Sequence, residues 1–132
     1  MTYQCRVYYE DTDAAGVVYY ANYLKFAERA RTEAVRVAGL SQHALLDEQG
    51  LGFVVTHVEV AFHRSARFDD LLTITTEIRD IGHASLTLAQ TFLRADERLV
   101  SLQVRLALVN RAGKPVRLKD PLKTLLVHAF TQ

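Results

Sequence analysis

Apolar and polar residues alternate with a period of two through the second half of the chain, which predicts β-strands. The clearest run spans residues 100–108, where every second residue is aliphatic. Three other runs follow the same alternation, and in each run the alternate residues are predicted to lie on one face of a strand. These sets are Val54, Thr56, Val58, Val60 and Phe62; Leu72, Ile74, Thr76 and Ile78; and Leu86, Leu88 and Phe92. A shorter strand is predicted at residues 3–9. The turns between the later runs are short, so we expect neighbouring strands to be antiparallel.

A helical period dominates the segment from about Tyr20 to Ala38. One apolar stripe follows this spacing and contains three alanines, which favour close packing on a sheet: Tyr23, Ala27, Ala30, Ala34 and Val37. Gly39 is expected to end the helix in a left-handed conformation. Ser41 is placed to cap a second helix that ends near Gly50, and residues 121–130 predict a short terminal helix. One long helix with about five antiparallel strands indicates an α+β fold whose sheet wraps around the helix.

The composition indicates an ordinary soluble domain. With 132 residues, 49% of them hydrophobic, the chain is expected to form a single domain, residues 1–132. A net charge of +1 gives no extended basic field for nucleic acid. Cys5 is the one cysteine, which excludes an internal disulfide and a zinc site built from several thiolates. We expect no membrane span and, because Met1–Gln4 lacks signal-peptide features, a cytoplasmic location.

The chemically informative segment is an acidic loop, Glu10–Gly16, that leads into the predicted helix. A helix start presents unpaired N–H groups and can stabilise an oxyanion, and a nearby carboxylate can serve as base or nucleophile. Such a loop can also simply cap the helix. A calcium loop is a poor fit, because Ala15 stands at the third ligand position and Asn22 at the position of the closing bidentate glutamate of an EF-hand, so we predict no metal site.

Residues 8–23 and 28–31 closely resemble the active-site signature of the 4-hydroxybenzoyl-CoA thioesterase-like hotdog family. They are most similar to its branch of short acyl-CoA thioesterases associated with the Tol–Pal system. Residues 64–70 and 109–115 also resemble that branch, so the similarity covers nearly the whole chain. The resemblance implies the hotdog fold and hydrolysis of an acyl-CoA or acyl-carrier thioester. It also implies homodimers, often paired into tetramers, with active sites at the subunit interface.

The resemblance assigns roles to individual residues. Asp13 matches the family's catalytic carboxylate, and Tyr20 occupies the position whose backbone N–H polarises the thioester carbonyl. Tyr9 matches a supporting tyrosine. The Tol–Pal-associated branch usually has histidine where this chain has Tyr20, whereas the hydroxybenzoyl enzymes have tyrosine there.

Coenzyme A is part of the implied substrate, so the resemblance predicts no bound cofactor. Its phosphates need cationic partners, and Arg64 and Arg67 are the candidates. Two other functions stay open at this point. One is a hotdog hydratase or dehydratase acting on acyl thioesters, which usually needs a paired histidine and acid. The other is a non-catalytic protein that interacts with an envelope or lipid-synthesis machine.

Overall fold

A computed structural model describes residues 1–131. These residues form three α-helices, five strands and a short 3₁₀ helix at Tyr9–Asp11. The strands are β1 (Thr2–Arg6), β2 (Gly52–Phe62), β3 (Leu71–Ile81), β4 (Ser85–Arg94) and β5 (Glu97–Val109). The helices are α1 (Asn22–Val37), α2 (Gln42–Gln49) and α3 (Leu122–Thr131). None of the helices within residues 1–131 combines the length and apolar character needed to cross a membrane.

The five strands form one antiparallel sheet in the order β1-β3-β4-β5-β2. The inner face of this sheet and α1 share one hydrophobic core. Ala27, Ala30 and Ala34 are at most 1% exposed, so the small side chains of α1 lie directly against its neighbours. The predicted α+β arrangement of a long helix against an antiparallel sheet is confirmed.

The ends of α1 differ from the prediction. The helix begins at Asn22 rather than near Tyr20, with Ala21 as its N-cap, and it ends at Val37. Val37 was expected in the buried stripe but is 75% exposed. After the left-handed Gly39, the N–H of Leu40 donates to the carbonyl of Val35 at 2.9 Å. The chain therefore folds back over Val35, which is buried in place of Val37.

The predicted face of β2 is wrong in its first half. The pairing with β5 shifts between Val55 and His57, which marks a β-bulge at Thr56. A bulge adds one residue and reverses the alternation, so Val55, not Val54, lies on the same face as Val58. Val55 pairs with Leu106 and Val58 with Val104, both core residues of β5. The opposite edge of β2 has no strand partner within residues 1–131.

Candidate active site

The acidic loop forms a tight hairpin with Asp13 at its start. The N–H of Asp13 donates to the carbonyl of Val17 at 2.9 Å, and the N–H of Gly16 donates to the carbonyl of Asp13 at 3.0 Å. Gly16 has φ +79°, a conformation that favours glycine. One carboxylate oxygen of Asp13 accepts a hydrogen bond from the N–H of Ala15 at 2.9 Å. The Asp13 side chain is exposed, so the hairpin fixes its backbone and leaves the carboxylate accessible.

Asp11, two residues earlier, has the opposite environment. It is 8% exposed, and its carboxylate accepts hydrogen bonds from the N–H of Tyr8 at 2.8 Å and from the side-chain amide of Asn22 at 2.9 Å. Its backbone carbonyl accepts the N–H of Tyr19 at 2.9 Å. Asp11 therefore joins the end of the first strand to the start of α1, with the Asp13 hairpin between them.

The backbone N–H of Tyr20 has no hydrogen-bond partner within residues 1–131. Tyr20 lies just before the N-cap Ala21, where the positive end of the α1 dipole adds to the field of the free amide. The phenol ring is 64% exposed and meets the rings of Tyr19 at 5.0 Å and Phe62 at 6.4 Å. The geometry thus offers an unpaired donor at the helix entrance, two residues upstream of the first helical residue.

Tyr9 contributes through its backbone as well as its ring. Its carbonyl accepts hydrogen bonds from the hydroxyl of Thr12 at 2.7 Å and from the N–H of Thr12 at 3.1 Å. The ring is 79% exposed and lies edge-on to Phe68 at 5.8 Å. Tyr9 therefore fixes the residue next to Asp13 and presents its phenol on the same surface as Phe68.

A second loop, residues 63–70, is held against the hairpin. Val17 forms a β-bridge with Arg67, and the N–H of Val18 donates to the carbonyl of Ala66 at 2.9 Å. The N–H of Ala66 in turn donates to the buried phenol oxygen of Tyr23 at 3.0 Å. Burial raises the pKa of Tyr23, so its hydroxyl stays neutral. This contact ties the first turn of α1 to the loop that carries both candidate arginines.

The two arginines differ in what they contact. Arg64 makes an ion pair with Glu97 at 3.0 Å between Nε and a carboxylate oxygen. The Arg67 guanidinium is exposed and has no partner in the described part of the chain. Because Arg67 is bridged through its backbone to Val17, it is the arginine that the fold attaches to the Asp13 hairpin.

Cys5 is the one cysteine of the chain, and it lies partly buried on β1. Burial raises the pKa of the Cys5 thiol to about 11, and the nearby charge of Asp11 adds to the shift. Cys5 is therefore a neutral thiol at physiological pH and not a nucleophile. Within residues 1–131, no group of three or more histidine, cysteine, aspartate and glutamate side chains is arranged to hold a metal ion.

The sequence did not assign a role to Asp11 or Asn22, although both lie within the recognised segment. Asp11 and Asn22 are eleven residues apart and separated by a loop. No regular strand or helix spacing therefore indicates that their side chains meet. The one local feature that points to two roles is the pair of aspartates in Asp11-Thr12-Asp13. Only the fold shows that one is buried and the other exposed.

Known proteins resemble this chain in sequence and structure. Residues 15–101 match the model of the thioesterase superfamily. The acyl-CoA thioesterase YbgC of Haemophilus influenzae is 41% identical over 128 residues, which cover 96% of this chain and 94% of that protein. The crystal structure of a probable thioesterase from Bartonella henselae is 43% identical, with a TM-score of 0.85 and coverage of 90% of this chain and 98% of that one. A structure of 4-hydroxybenzoyl-CoA thioesterase shares the fold, with a TM-score of 0.90, 21% identity and coverage of 96% and 97%. The chain therefore belongs to the thioesterase superfamily.

Proposed function

We propose that the chain is an acyl-CoA thioesterase that hydrolyses a thioester to the free acid and coenzyme A, with Asp13 as its catalytic carboxylate. The observation that carries this proposal is that one short segment holds both an exposed carboxylate in a rigid hairpin, Asp13, and, seven residues later, the unpaired N–H of Tyr20 at the entrance to α1. A base or nucleophile together with an oxyanion donor is the minimum requirement for acyl transfer. The thioesterase names of the full-length relatives support the same reaction class.

In the proposed mechanism, the thioester carbonyl oxygen accepts a hydrogen bond from the N–H of Tyr20. Negative charge that develops on this oxygen is stabilised by the amide and by the α1 dipole. Asp13 then acts in one of two ways. It attacks the carbonyl carbon and forms a mixed anhydride that water hydrolyses, or it removes a proton from the water that attacks. In both routes the carbon–sulfur bond breaks and coenzyme A leaves as a thiolate.

Coenzyme A enters as part of the substrate, and no separate cofactor is needed for this reaction. Arg67 is the better of the two candidate arginines for its phosphates, since Arg64 already pairs with Glu97. The guanidinium of Arg67 is free to make bidentate contacts with phosphate oxygens. An acyl-carrier thioester presents the same reacting group and remains within this proposal.

The proposed enzyme is a homodimer or homotetramer. β2 is an eleven-residue edge strand, and several of its apolar side chains are exposed, including Val55 at 53% and Phe62 at 51%. Such an edge is a template for pairing with a second copy of the chain. Two-fold pairing of β2 with the β2 strand of the second copy covers the β2 edge of each subunit. It also brings a partner surface to the exposed side of the Tyr20 and Phe62 rings.

The cellular setting is part of the proposal. We place the enzyme in the cytoplasm, where coenzyme A thioesters are found, and associate it with the Tol–Pal system. The similarity of residues 8–23, 64–70 and 109–115 to the Tol–Pal-associated branch supports this setting.

A panel of acyl-CoA substrates tests the function directly. The panel contains short and long alkyl thioesters, an aryl thioester and crotonyl-CoA, and release of free thiol is measured. We expect thiol release from at least one of them. Hydration of crotonyl-CoA without thiol release would instead favour the hydratase function. Asp13 has no histidine among its hydrogen-bond or ion-pair partners in residues 1–131, which argues against that function. Failure of every substrate would favour the non-catalytic alternative.

A further inference from the structure

A partly buried arginine, Arg31, lines an apolar cavity that the mechanism above does not use. The cavity has a volume of about 140 Å³ and lies between α1, the inner face of β2 and α3. Its apolar lining includes Val35, Phe53, Val55, Leu106 and Phe130. A cavity of this composition is suited to hydrocarbon, so the cation of Arg31 is the feature that needs an explanation.

The contacts of Arg31 within residues 1–131 include a hydrogen bond but no ion pair. One guanidinium nitrogen donates to the side-chain oxygen of Gln90 at 3.0 Å. The amide of Gln90 is itself fixed by hydrogen bonds to the carbonyl of Ala27 and the hydroxyl of Thr76. No carboxylate of residues 1–131 lies within ion-pair distance of Arg31. Burial lowers the pKa of Arg31, and the charge of Glu28, one turn earlier on α1, opposes this shift without forming an ion pair. A desolvated cation that no carboxylate contacts directly is unfavourable.

A strip of apolar side chains along β2, exposed in the single chain and bordering the edge proposed above for subunit pairing, connects this cavity with the candidate active site. Phe62, at one end of the strip, meets the ring of Tyr20. Val58 follows on the same face and is 38% exposed, and Val55 forms part of the cavity wall. The strip therefore runs along β2 from the proposed oxyanion donor to the cavity.

One flank of α1 follows the same path. Leu24, Glu28 and Arg31 are spaced i, i+4 and i+7, so they lie on one side of the helix. Leu24 is 41% exposed, and both Glu28 and Arg31 line the cavity. The ten residue steps from Ala21 to Arg31 span about 15 Å along the helix axis. Long helical side chains lean toward the helix N-terminus, so the guanidinium lies nearer to the active site than its backbone does.

We infer that this cavity is the distal end of the acyl subsite and that Arg31 binds a carboxylate at the far end of the acyl group. The inference rests on the proposed thioesterase function and names its substrate class: the coenzyme A half-thioester of a medium-length dicarboxylic acid. The chain of methylenes lies along the apolar strip. The carboxylate forms the direct ion pair that Arg31 lacks within residues 1–131, and it accepts hydrogen bonds from the guanidinium nitrogens that Gln90 leaves free.

Glu28 modulates this recognition. It is exposed, and its carboxylate accepts a hydrogen bond from the hydroxyl of Thr32 at 2.9 Å. Its charge acts on Arg31, so it repels a bound anion and competes with it for the guanidinium. Removing this charge is expected to favour a carboxylate-ended acyl group further.

The test compares ω-carboxyacyl-CoA with unsubstituted alkanoyl-CoA of equal chain length, for chains of about six to twelve carbons that match the helix distance. Arg31→Met keeps an unbranched side chain and removes the charge. We expect its kcat/KM to fall by about tenfold or more for the carboxylated substrate and by less than about twofold for the alkanoyl one. Arg29→Met is the matched control, since Arg29 is an exposed arginine of the same helix.

Two further measurements complete the test. Glu28→Gln is expected to raise the preference for the carboxylated substrate, and this result remains available if Arg31→Met does not fold. Calorimetric binding of both thioesters to Asp13→Asn, with and without Arg31→Met, reports on the subsite apart from turnover. An equal loss of kcat/KM for both substrates in Arg31→Met would show that Arg31 only supports Gln90, and it would overturn the inference. If no acyl-CoA is hydrolysed but the carboxylated thioester still binds through Arg31, the proposed function is wrong and the subsite stands.

Discussion

The Asp11 carboxylate accepts a buried hydrogen bond of 2.9 Å from the side-chain amide of Asn22. This bond connects the loop before Asp13 directly with the first residue of α1. It sets the position of the Asp13 hairpin relative to the helix entrance, where the proposed oxyanion donor lies. We therefore expect Asp11 to position the hairpin, a role distinct from the one proposed for Asp13.

Removal of the Asp11 carboxylate should weaken both the fold and the reaction. Asp11→Ala leaves the N–H of Tyr8 and the amide of Asn22 without acceptors, which we expect to lower the free energy of unfolding by about 2 kcal/mol. The kcat should fall, with KM little changed, because Asp13 is then less well held. Urea denaturation and steady-state kinetics measure these effects. Glu10→Ala is the control, because Glu10 is an exposed neighbouring acid. Equal behaviour of the two variants would contradict the positioning role.

The charge of Asp13 is predicted to carry the chemistry. Asp13→Asn keeps the size of the side chain and should lower kcat by at least about 100-fold, equivalent to about 2.7 kcal/mol in the barrier. Thermal stability should change little, because the side chain is exposed. Asp96→Asn, at an exposed aspartate in the turn between β4 and β5, is the control for loss of one negative charge. Near-normal turnover of Asp13→Asn would show that another group performs the reaction.

The amide of Tyr20 should matter more to the rate than its phenol. Tyr20→Pro removes the N–H and is expected to lower kcat by about 10²–10³-fold. Tyr20→Phe and Tyr20→His keep the N–H and should retain substantial activity, with altered preference between aryl and alkyl thioesters. Circular dichroism must show that α1 survives in the proline variant. An active proline variant together with an inactive phenylalanine variant would identify the phenol as the catalytic group.

Arg67 is expected to bind the phosphates of coenzyme A. Arg67→Ala should raise KM for an acyl-CoA by about tenfold, the effect of losing one charge-assisted contact. The same acyl group on pantetheine, which lacks the nucleotide, should show no such change. Arg64→Ala serves as the comparison, and we expect a smaller effect because Arg64 pairs with Glu97. A larger effect at Arg64 would reverse the assignment.

The protein should be oligomeric in solution. Light scattering at micromolar concentration is expected to give at least twice the mass of one chain, since the unpaired edge of β2 favours association. Specific activity should fall on dilution in parallel with dissociation. A stable monomer with full activity would exclude a site completed by the partner.

The strands and helices of this protein follow from local patterns in the sequence. Alternation over residues 100–108 predicted β5, because each inward side chain must be apolar when one face of a strand is buried. Ser41 predicted the start of α2, and its hydroxyl accepts the N–H of Ala44 at 3.1 Å as expected of a cap. These features depend on neighbours within a few residues, so the sequence determines them without reference to the rest of the fold.

Long-range contacts decided the remaining features. The bulge at Thr56 shifts β2 against β5, and alternation within one strand cannot reveal a register that depends on two. Asp11 and Asp13 are the same residue type two positions apart, yet Asp11 is buried against Asn22 and Asp13 is exposed in the hairpin. Arg31 lies in a cavity formed by α1, α3 and β2, and no local pattern in the sequence indicates this enclosure. The sequence determined which residues could form the site. The tertiary structure decided which of them are buried, exposed or charged without a partner, because desolvation depends on atoms distant in the chain.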